Sequence, residues 1–223
     1  MSLTEHGEGV ALKTFSLKKL IKENPQIWLF LLFIPVEIMY FITQHMGLAY
    51  HEVHLAADDI IPFVPAFIIP YVIWYLYVPL PMLYMCFKDK REFKKQCLAL
   101  FPGMILCTLV FMIYPTSVYG IRPESIEVKG VFTFICNIIY SSDNPVNACP
   151  SLHCFEALVI HLTMFSPEFM RKKTGLRITS AVLMVLICAS TVFVKQHSLL
   201  DVIIGCLLAL VSYLIVYKIC FRK

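Results

Sequence analysis

The chain has 223 residues, of which 59% are hydrophobic and 15% charged, and its formal net charge is +4. Soluble domains contain about half apolar and about a quarter charged residues, so this composition excludes an ordinary soluble protein. It predicts an integral membrane protein.

Six apolar runs are long enough to cross a membrane, since one helical crossing needs about 20 mostly apolar residues. They cover residues 26–44, 64–87, 96–114, 152–168, 175–194 and 199–219. We therefore expect an all-α integral membrane bundle of six transmembrane helices. It would form a single membrane domain over 1–223, with a cytoplasmic tail at 1–24, the bundle at 26–219 and a long polar loop at 115–150.

The distribution of lysine and arginine predicts the orientation, because short cytoplasmic loops carry an excess of these residues. With six spans, the basic clusters all fall on one side: Lys13, Lys18, Lys19, Lys22, Lys88, Lys90, Arg91, Lys94, Lys95, Arg171, Lys172, Lys173, Arg177, Lys218, Arg222 and Lys223. The opposite side has only Arg122, Lys129 and Lys195. Both termini are therefore expected in the cytoplasm, and the 115–150 loop is expected on the extracytoplasmic side of the cell membrane. This asymmetry accounts for the net charge, so no nucleic-acid partner is expected.

The first two apolar runs each contain residues that disturb a regular membrane helix. Pro35 and Glu37 interrupt the first run, which lacks a following cleavage site and is expected to be an anchor, not a cleaved signal. Glu37 needs a partner or a polar cavity, and Glu156 or His161 on the fourth run could supply the partner. Five prolines between 62 and 81 are expected to kink or break the second run.

Between these runs, the segment HEVHLAADD places His51, His54 and Asp58 on one face if it is helical. Such a face suits a metal site or an amphipathic interfacial helix above the mouth of a site. We expect the interfacial helix.

Three polar clusters are predicted on the outward side of the membrane. They are YGIRPES at Tyr119–Ser125, CPSLHCFEA at Cys149–Ala157 and STVFVKQHSLLDVIIG at Ser190–Gly205. A helical bundle can bring all three to one depth near the interface. Their convergence indicates a site more strongly than any one cluster does.

The last cluster contains His197 and Asp201, which are four residues apart and share a helix face. Asp201 can accept a hydrogen bond from one imidazole nitrogen, which leaves the other nitrogen basic, as a nucleophile or general base requires. The alternative is an interfacial polar pair with no chemical role.

The middle cluster places Pro150, Ser151 and His153 at the N-terminus of the fourth run. The free backbone N–H groups of a helix N-terminus form an anion site, so a phosphate could be held there by these amides and Ser151. His153 would then exchange a proton with it. The alternative is a serine-capped helix with an incidental histidine.

Arg122 adds a fork of donors suited to phosphate oxygens, and Lys195 adds a second cation near His197. Two histidines, an aspartate, a serine and two cations on one membrane face predict phosphoryl transfer through a phosphohistidine.

The stretches IRP, PSLH and STVFVKQHSLLD resemble, in order, the Kx6RP, PSGH and SRx5Hx3D motifs of the type 2 phosphatidic acid phosphatase superfamily. The likeness runs from Arg122 to Gly205, and the six-span layout extends it to the whole chain. By this resemblance, His197 is similar to the nucleophile and Asp201 to its orienting partner. His153 is similar to the acid that protonates the leaving alkoxide and later activates water.

The resemblance also implies phosphate ligands at Arg122, Ser151 and Ser190, and no metal or other cofactor. Family residues are replaced here by Pro115, Leu152 and Thr191. Two of the replaced residues are cations, and Lys195 is expected to take the place of one of them.

The expected function is a membrane lipid phosphate phosphatase acting at the outer membrane face on a lipid phosphate in the bilayer. A lipid head-group phosphotransferase, similar to inositol phosphorylceramide synthases, is the alternative, because a phosphodiester carries less charge and needs fewer cations. A third reading is a transporter or channel, but no internal repeat supports it. The sequence leaves the lipid and the oligomeric state open.

Overall fold

The computed structural model describes residues 17–221, with side chains from residue 20 onward. Within this part the chain forms helices α1 to α11, at Leu17–Glu23, Phe33–Gln44, Ala56–Ile60, Ile68–Tyr77, Pro79–Lys88, Lys90–Ile113, Val131–Ser142, Leu152–Met164, Glu168–Arg171, Thr174–Phe193 and Leu199–Leu214. Strands β1, His51–Glu52, and β2, Thr116–Ser117, are two residues each. The prediction of an all-α membrane bundle is confirmed. Of the basic residues used for orientation, Lys13, Arg222 and Lys223 lie outside the described residues, as do the side chains of Lys18 and Lys19.

Within residues 17–221, five helical segments are long and apolar enough to cross a membrane: Pro25–Gln44, Pro65–Lys88, Lys90–Ile113, Thr174–Phe193 and Leu199–Cys220. The remaining predicted span, the fourth, is α8, whose 13 residues extend about 20 Å at 1.5 Å per residue, less than the hydrocarbon thickness of about 30 Å. Nine of the 13 residues of α8 are buried, and it packs against α6, α10 and α11. A helix shielded by its neighbours need not match the thickness of the bilayer.

The first two spans are irregular, as their prolines predict. The first is a 3₁₀ helix, Pro25–Leu32, that continues into α2. The second begins with a 3₁₀ turn, Pro65–Phe67, and breaks between α4 and α5 at Val78–Pro79. Proline lacks the N–H that the helical ladder needs, so the break follows from the sequence.

The connections at 45–64 and 115–150 are more ordered than the sequence suggests. The 115–150 segment, predicted to be a polar loop, contains α7, and Cys136 of α7 is fully buried. β1 and β2 pair in parallel, and Ser117 also bridges to Val146. These pairings join β1, β2 and the segment around Val146, which are distant in sequence.

The start of α8 lies directly against α11. The Ser151 N–H donates to the Asp201 carbonyl at 3.1 Å, and a Cβ at Gly205 would come within 2.5 Å of the Ser151 carbonyl oxygen. Glycine at 205 therefore permits a close approach that no other residue would allow without a shift. This contact brings the motifs around His153 and His197 together.

Candidate active site

His153 and His197 line one cavity of about 640 Å³ at the end of the bundle where α8 and α11 begin. Their ring centroids are 5.7 Å apart and the rings are roughly perpendicular. His153 is in the first turn of α8, and His197 is in the turn that precedes α11. The close contact of these two helices therefore positions the pair.

His197 is held in one tautomer. Its Nδ1 lies 2.9 Å from the Ala148 carbonyl oxygen and 3.4 Å from Asp201 Oδ2. Because a carbonyl oxygen can only accept, Nδ1 carries the proton and Nε2 keeps its lone pair. The backbone of His197 is fixed as well, since its N–H donates to the Thr191 carbonyl at 3.1 Å.

Asp201 is fully buried at the start of α11. Its Oδ2 accepts the Ser198 N–H at 2.8 Å, and the Ser198 hydroxyl in turn accepts the Leu200 N–H. These bonds cap the helix and fix the carboxylate near His197. The predicted His197–Asp201 pair is therefore present, with the Ala148 carbonyl as a nearer partner that the sequence did not reveal.

His153 lies between two aromatic rings, with centroid distances of 4.6 Å to Tyr71 and 4.2 Å to Trp74. Its Nε2 is buried and has no hydrogen-bond partner within the described chain. A buried nitrogen without a partner is costly. An imidazole that lines a cavity in this state is available to exchange a proton with a ligand.

Ser151 and Ser190, the serines of the motifs, are both fully buried. The Ser151 hydroxyl accepts the Cys154 N–H at 3.4 Å and caps α8, while the Ser190 hydroxyl donates to the Ile187 carbonyl at 2.6 Å. Neither is among the residues that line the histidine cavity. In this structure each hydroxyl therefore bonds to the backbone of its own helix.

Arg122 is not among the residues that line the histidine cavity. Its guanidinium donates to the carbonyls of Asp143 and Tyr140, each at 2.8 Å, and its central carbon lies 3.8 Å from the centre of the Tyr140 ring. It lines a separate pocket of about 520 Å³. Burial lowers the pKa of Arg122 below its ordinary value.

Lys195 is also engaged with the backbone. It is buried, its φ is +55°, and its Nζ donates to the Asp58 carbonyl at 2.7 Å. Of the seven residues that sequence analysis assigned to the site, the structure brings His153, His197 and Asp201 together. The two cations lie nearby with other partners.

Asp58 is a site residue whose position the sequence did not predict. It is 1% exposed, and its carboxylate accepts the Ser198 hydroxyl at 2.6 Å and the Leu199 N–H at 2.9 Å. Burial acts to raise the pKa of Asp58, but these bonds and one from the Leu55 N–H lower it overall. Asp58 thus anchors the turn that carries His197.

The segment HEVHLAADD was predicted to suit either a metal site or an interfacial helix. In the described part of the chain, no group of three or more His, Cys, Asp or Glu side chains is placed to hold a metal ion. The His51 ring stacks on Tyr114, with centroids 4.1 Å apart, and His54 pairs with Asp59 at 2.8 Å. Asp58 bonds to the turn before α11. His51, His54 and Asp58 therefore contact different partners and do not share the helix face that the sequence suggested.

The histidine cavity has an acidic wall. Glu37, Asp143 and Glu156 line it, and no lysine or arginine is among its lining residues within 17–221. Asp143, which sequence analysis did not single out, accepts the Tyr40 hydroxyl at 3.0 Å and the Gln44 amide at 2.7 Å. Glu37 therefore has the polar cavity it was expected to need.

Comparison with known proteins gives one match. The family model described as the PAP2 superfamily matches residues 44–215, which is more than half of the chain. No curated protein and no solved structure matches.

Proposed function

The chain belongs to the PAP2 superfamily, whose members are typically phosphatases or related phosphotransferases, and we propose that it cleaves a phosphoester of a membrane lipid through a phosphohistidine at His197. The observation that carries the proposal is the fixed tautomer of His197. Its Nδ1 faces two acceptors, Ala148 and Asp201, so Nε2 is the atom free to attack phosphorus.

The reaction proceeds in two balanced steps. The Nε2 lone pair of His197 attacks phosphorus and the bond to the lipid alkoxide breaks, while His153 gives its proton to the departing oxygen. A hydroxyl then attacks the phosphohistidine and gives its proton to His153 as the P–N bond breaks. Asp201 stabilises the positive charge that develops on His197 in each step.

The geometry fits a phosphodiester better than a phosphomonoester. A monoester carries up to two negative charges, yet no lysine or arginine lines the cavity within the described residues. Arg122 and Lys195 are bonded to backbone carbonyls instead. With a phosphodiester, an alcohol attacking in the second step gives head-group transfer, and water gives hydrolysis.

A lipid monoester phosphatase is the second candidate, and one contact favours it. Arg122 Nη1 lies 3.4 Å from the side-chain oxygen of Gln196, the residue before His197. An arginine released from its two carbonyl partners could therefore reach toward the site. We further propose that the site faces outward and that both termini are cytoplasmic, from the distribution of basic residues.

The test uses the purified full chain with a panel of lipids that share acyl chains: a phosphatidic acid and several phosphodiester lipids, with labelled diacylglycerol as acceptor. We expect a labelled phosphodiester lipid if the head group is transferred to the acceptor, or release of unlabelled diacylglycerol alone if the lipid is hydrolysed. We expect the activity of His197→Ala to be lower by about 10³-fold or more. Free phosphate from phosphatidic acid alone would favour the second candidate. Full activity in His197→Ala would overturn both.

The intermediate has its own test. Rapid acid-free quenching of wild type with a head-group-labelled lipid should trap label on the protein, and the label should be acid-labile, as a phosphorus–nitrogen bond is. His153→Ala should keep some labelling but turn over slowly, because it lacks the acid and base. Label that persists in His197→Ala would contradict the assignment of the nucleophile.

A further inference from the structure

α7 and α8 are apolar helices of nearly equal length that are buried to very different extents. Nine of the 13 residues of α8 are buried, whereas Cys136 alone is buried among the 12 residues of α7. An apolar run of about 10–14 residues is typical of a buried core helix or of a helix that lies in a membrane interface. α8 matches the first description, and the exposure of α7 matches the second.

The exposed face of α7 is apolar along most of its length. Val131, Phe134 and Ile138 are each at least half exposed, and spacings of three and four residues place them on one side of the helix. No residue of α7 is charged, and the hydroxyls of Ser141 and Ser142 in its last turn donate to carbonyls of the same helix. A face of this kind is unfavourable in water and favourable in lipid.

The opposite face of α7 packs on the second span where that span begins. Cys136 Sγ lies 3.8 Å from the carbonyl oxygen of Pro65, the first residue of the span. Ile135 and Ile139 pack against the apolar cluster that contains Ile68, the first residue of α4. α7 therefore lies beside the first turns of a membrane span, at the depth where the span enters the lipid.

The apolar face of α7 is continuous with a surface that faces lipid. α7 packs against α4 and against the 3₁₀ turn that precedes it, and Ile69 in the first turn of α4 is exposed. Exposed apolar side chains on a membrane span contact acyl chains. The neighbouring side chains of α7 have the same chemistry and the same surroundings.

We propose that α7 lies within the lipid leaflet at the end of the bundle where α8 and α11 begin, with Val131, Phe134 and Ile138 in contact with acyl chains. The partner of this face is the bilayer itself. Part of the 115–150 segment is then a membrane element. The inference does not depend on the reaction proposed above, because it rests on the packing and exposure of α7 alone.

The embedded helix also supports the histidine site. On the packed side of α7, the Tyr140 hydroxyl donates to the Val194 carbonyl at 2.6 Å, three residues before His197. Asp143, which directly follows α7, lines the histidine cavity. Contact with lipid on one face therefore holds the other face of α7 against the turn that carries His197.

Tryptophan fluorescence of the full chain in nanodiscs of acyl-brominated phosphatidylcholine measures the position of α7. Phe134→Trp places a probe on the apolar face, Ile203→Trp is the reference for an exposed residue of a span, and Glu127→Trp is the reference for the exposed segment before α7. Emission of wild type, from Trp28 and Trp74, is subtracted. We expect quenching of Phe134→Trp within about twofold of Ile203→Trp and at least about threefold that of Glu127→Trp. Aqueous iodide should give the opposite order.

A charge on the same face gives a second measurement. The double variant Phe134→Asp, Ile138→Asp should melt about 3 °C or more below wild type in nanodiscs, because carboxylates in the leaflet lose hydration. The double variant Phe134→Leu, Ile138→Leu keeps the face apolar and is the matched control. It should melt within about 1 °C of wild type.

The outcomes separate the alternatives. Quenching of Phe134→Trp by iodide and not by brominated chains would overturn the proposal, and so would an unchanged melting temperature in the aspartate variant. Quenching by neither agent, with a dimer that the aspartate variant dissociates, would also overturn it and assign the face to a second copy of the chain. Neither measurement uses turnover, so a failure of the proposed function leaves this test intact.

Discussion

The turn before α11 and the wall of the histidine cavity differ in how many of their buried polar groups bond to protein atoms. Within the described residues, Gln196 Nε2 is an exception in the turn and Asp143 is an exception on the wall. In the turn, Lys195, Ser198 and the Nδ1 of His197 bond to protein atoms. On the wall, polar atoms of Asn147, His153 and Glu156 have no partner within the described residues. Groups with internal partners hold the shape of the site, whereas groups without them are available to a ligand.

The same contrast applies to charge. The two cations predicted to bind phosphate, Arg122 and Lys195, bond to backbone carbonyls. The cavity itself is lined by carboxylates. The positive charges therefore stabilise the loops around the site, while carboxyl groups face the ligand cavity. Three variants test this contrast.

The largest effect is expected at Asp201, which belongs to the turn but acts on the reaction. Asp201→Asn should lower kcat about 100-fold, which is about 2.7 kcal/mol at 1.36 kcal/mol per tenfold. The loss should be smaller than in His197→Ala because the Ala148 carbonyl still accepts the Nδ1 proton at 2.9 Å. Steady-state kinetics on the preferred lipid measures it. An equal loss in the two variants would show that Asp201 alone fixes the tautomer.

Asp58 tests whether the turn is held by its buried anchor. Asp58→Asn should lower the free energy of unfolding by about 2 kcal/mol, because two of the three donors to the carboxylate, the Leu199 N–H and the Ser198 hydroxyl, come from the turn. Thermal unfolding in detergent measures this. Asp59→Asn is the control, since Asp59 is exposed and pairs only with His54. Equal loss in both variants would contradict the anchoring role.

The contribution of Asp58 should also depend on pH. Its folded pKa is lowered, so its stabilising effect is complete above its unfolded pKa of about 3.9 and is lost as the pH falls through the lower folded value. Melting temperatures of wild type and Asp58→Asn should therefore converge below about pH 4. A difference that stays constant with pH would show that the charge of Asp58 is not what stabilises the turn.

The smallest effect is expected at Arg122, and it separates the two candidate functions. Arg122→Lys should cost about 1 kcal/mol of stability, because lysine lacks the fork that reaches two carbonyls and stacks on Tyr140. If the substrate is a phosphodiester held as proposed, kcat/KM should change less than about threefold. The exposed Arg177→Lys is the control for stability. A loss of activity on the order of 100-fold would favour the monoester phosphatase.

Local patterns predicted the parts of the fold that depend on short stretches of sequence. The apolar runs predicted the membrane helices, and the prolines predicted the break at Val78–Pro79. The spacing of His197 and Asp201 placed them within reach of each other. The length of α8 was not predicted, because burial among neighbouring helices lets a short segment be stable. The presence of α7 was not predicted either, because its one buried residue, Cys136, packs against residues distant in sequence.

By itself the sequence determined the class of protein, the family and the two histidines, since composition, run length and motif spacing are local properties. Only the tertiary structure decided what faces the cavity. Asp58 meets Ser198 across 140 residues of sequence, and Glu37 of the first span lines the same cavity as Glu156 of α8. Such contacts depend on how each helix is rotated against its neighbours, and packing of the whole bundle sets that rotation.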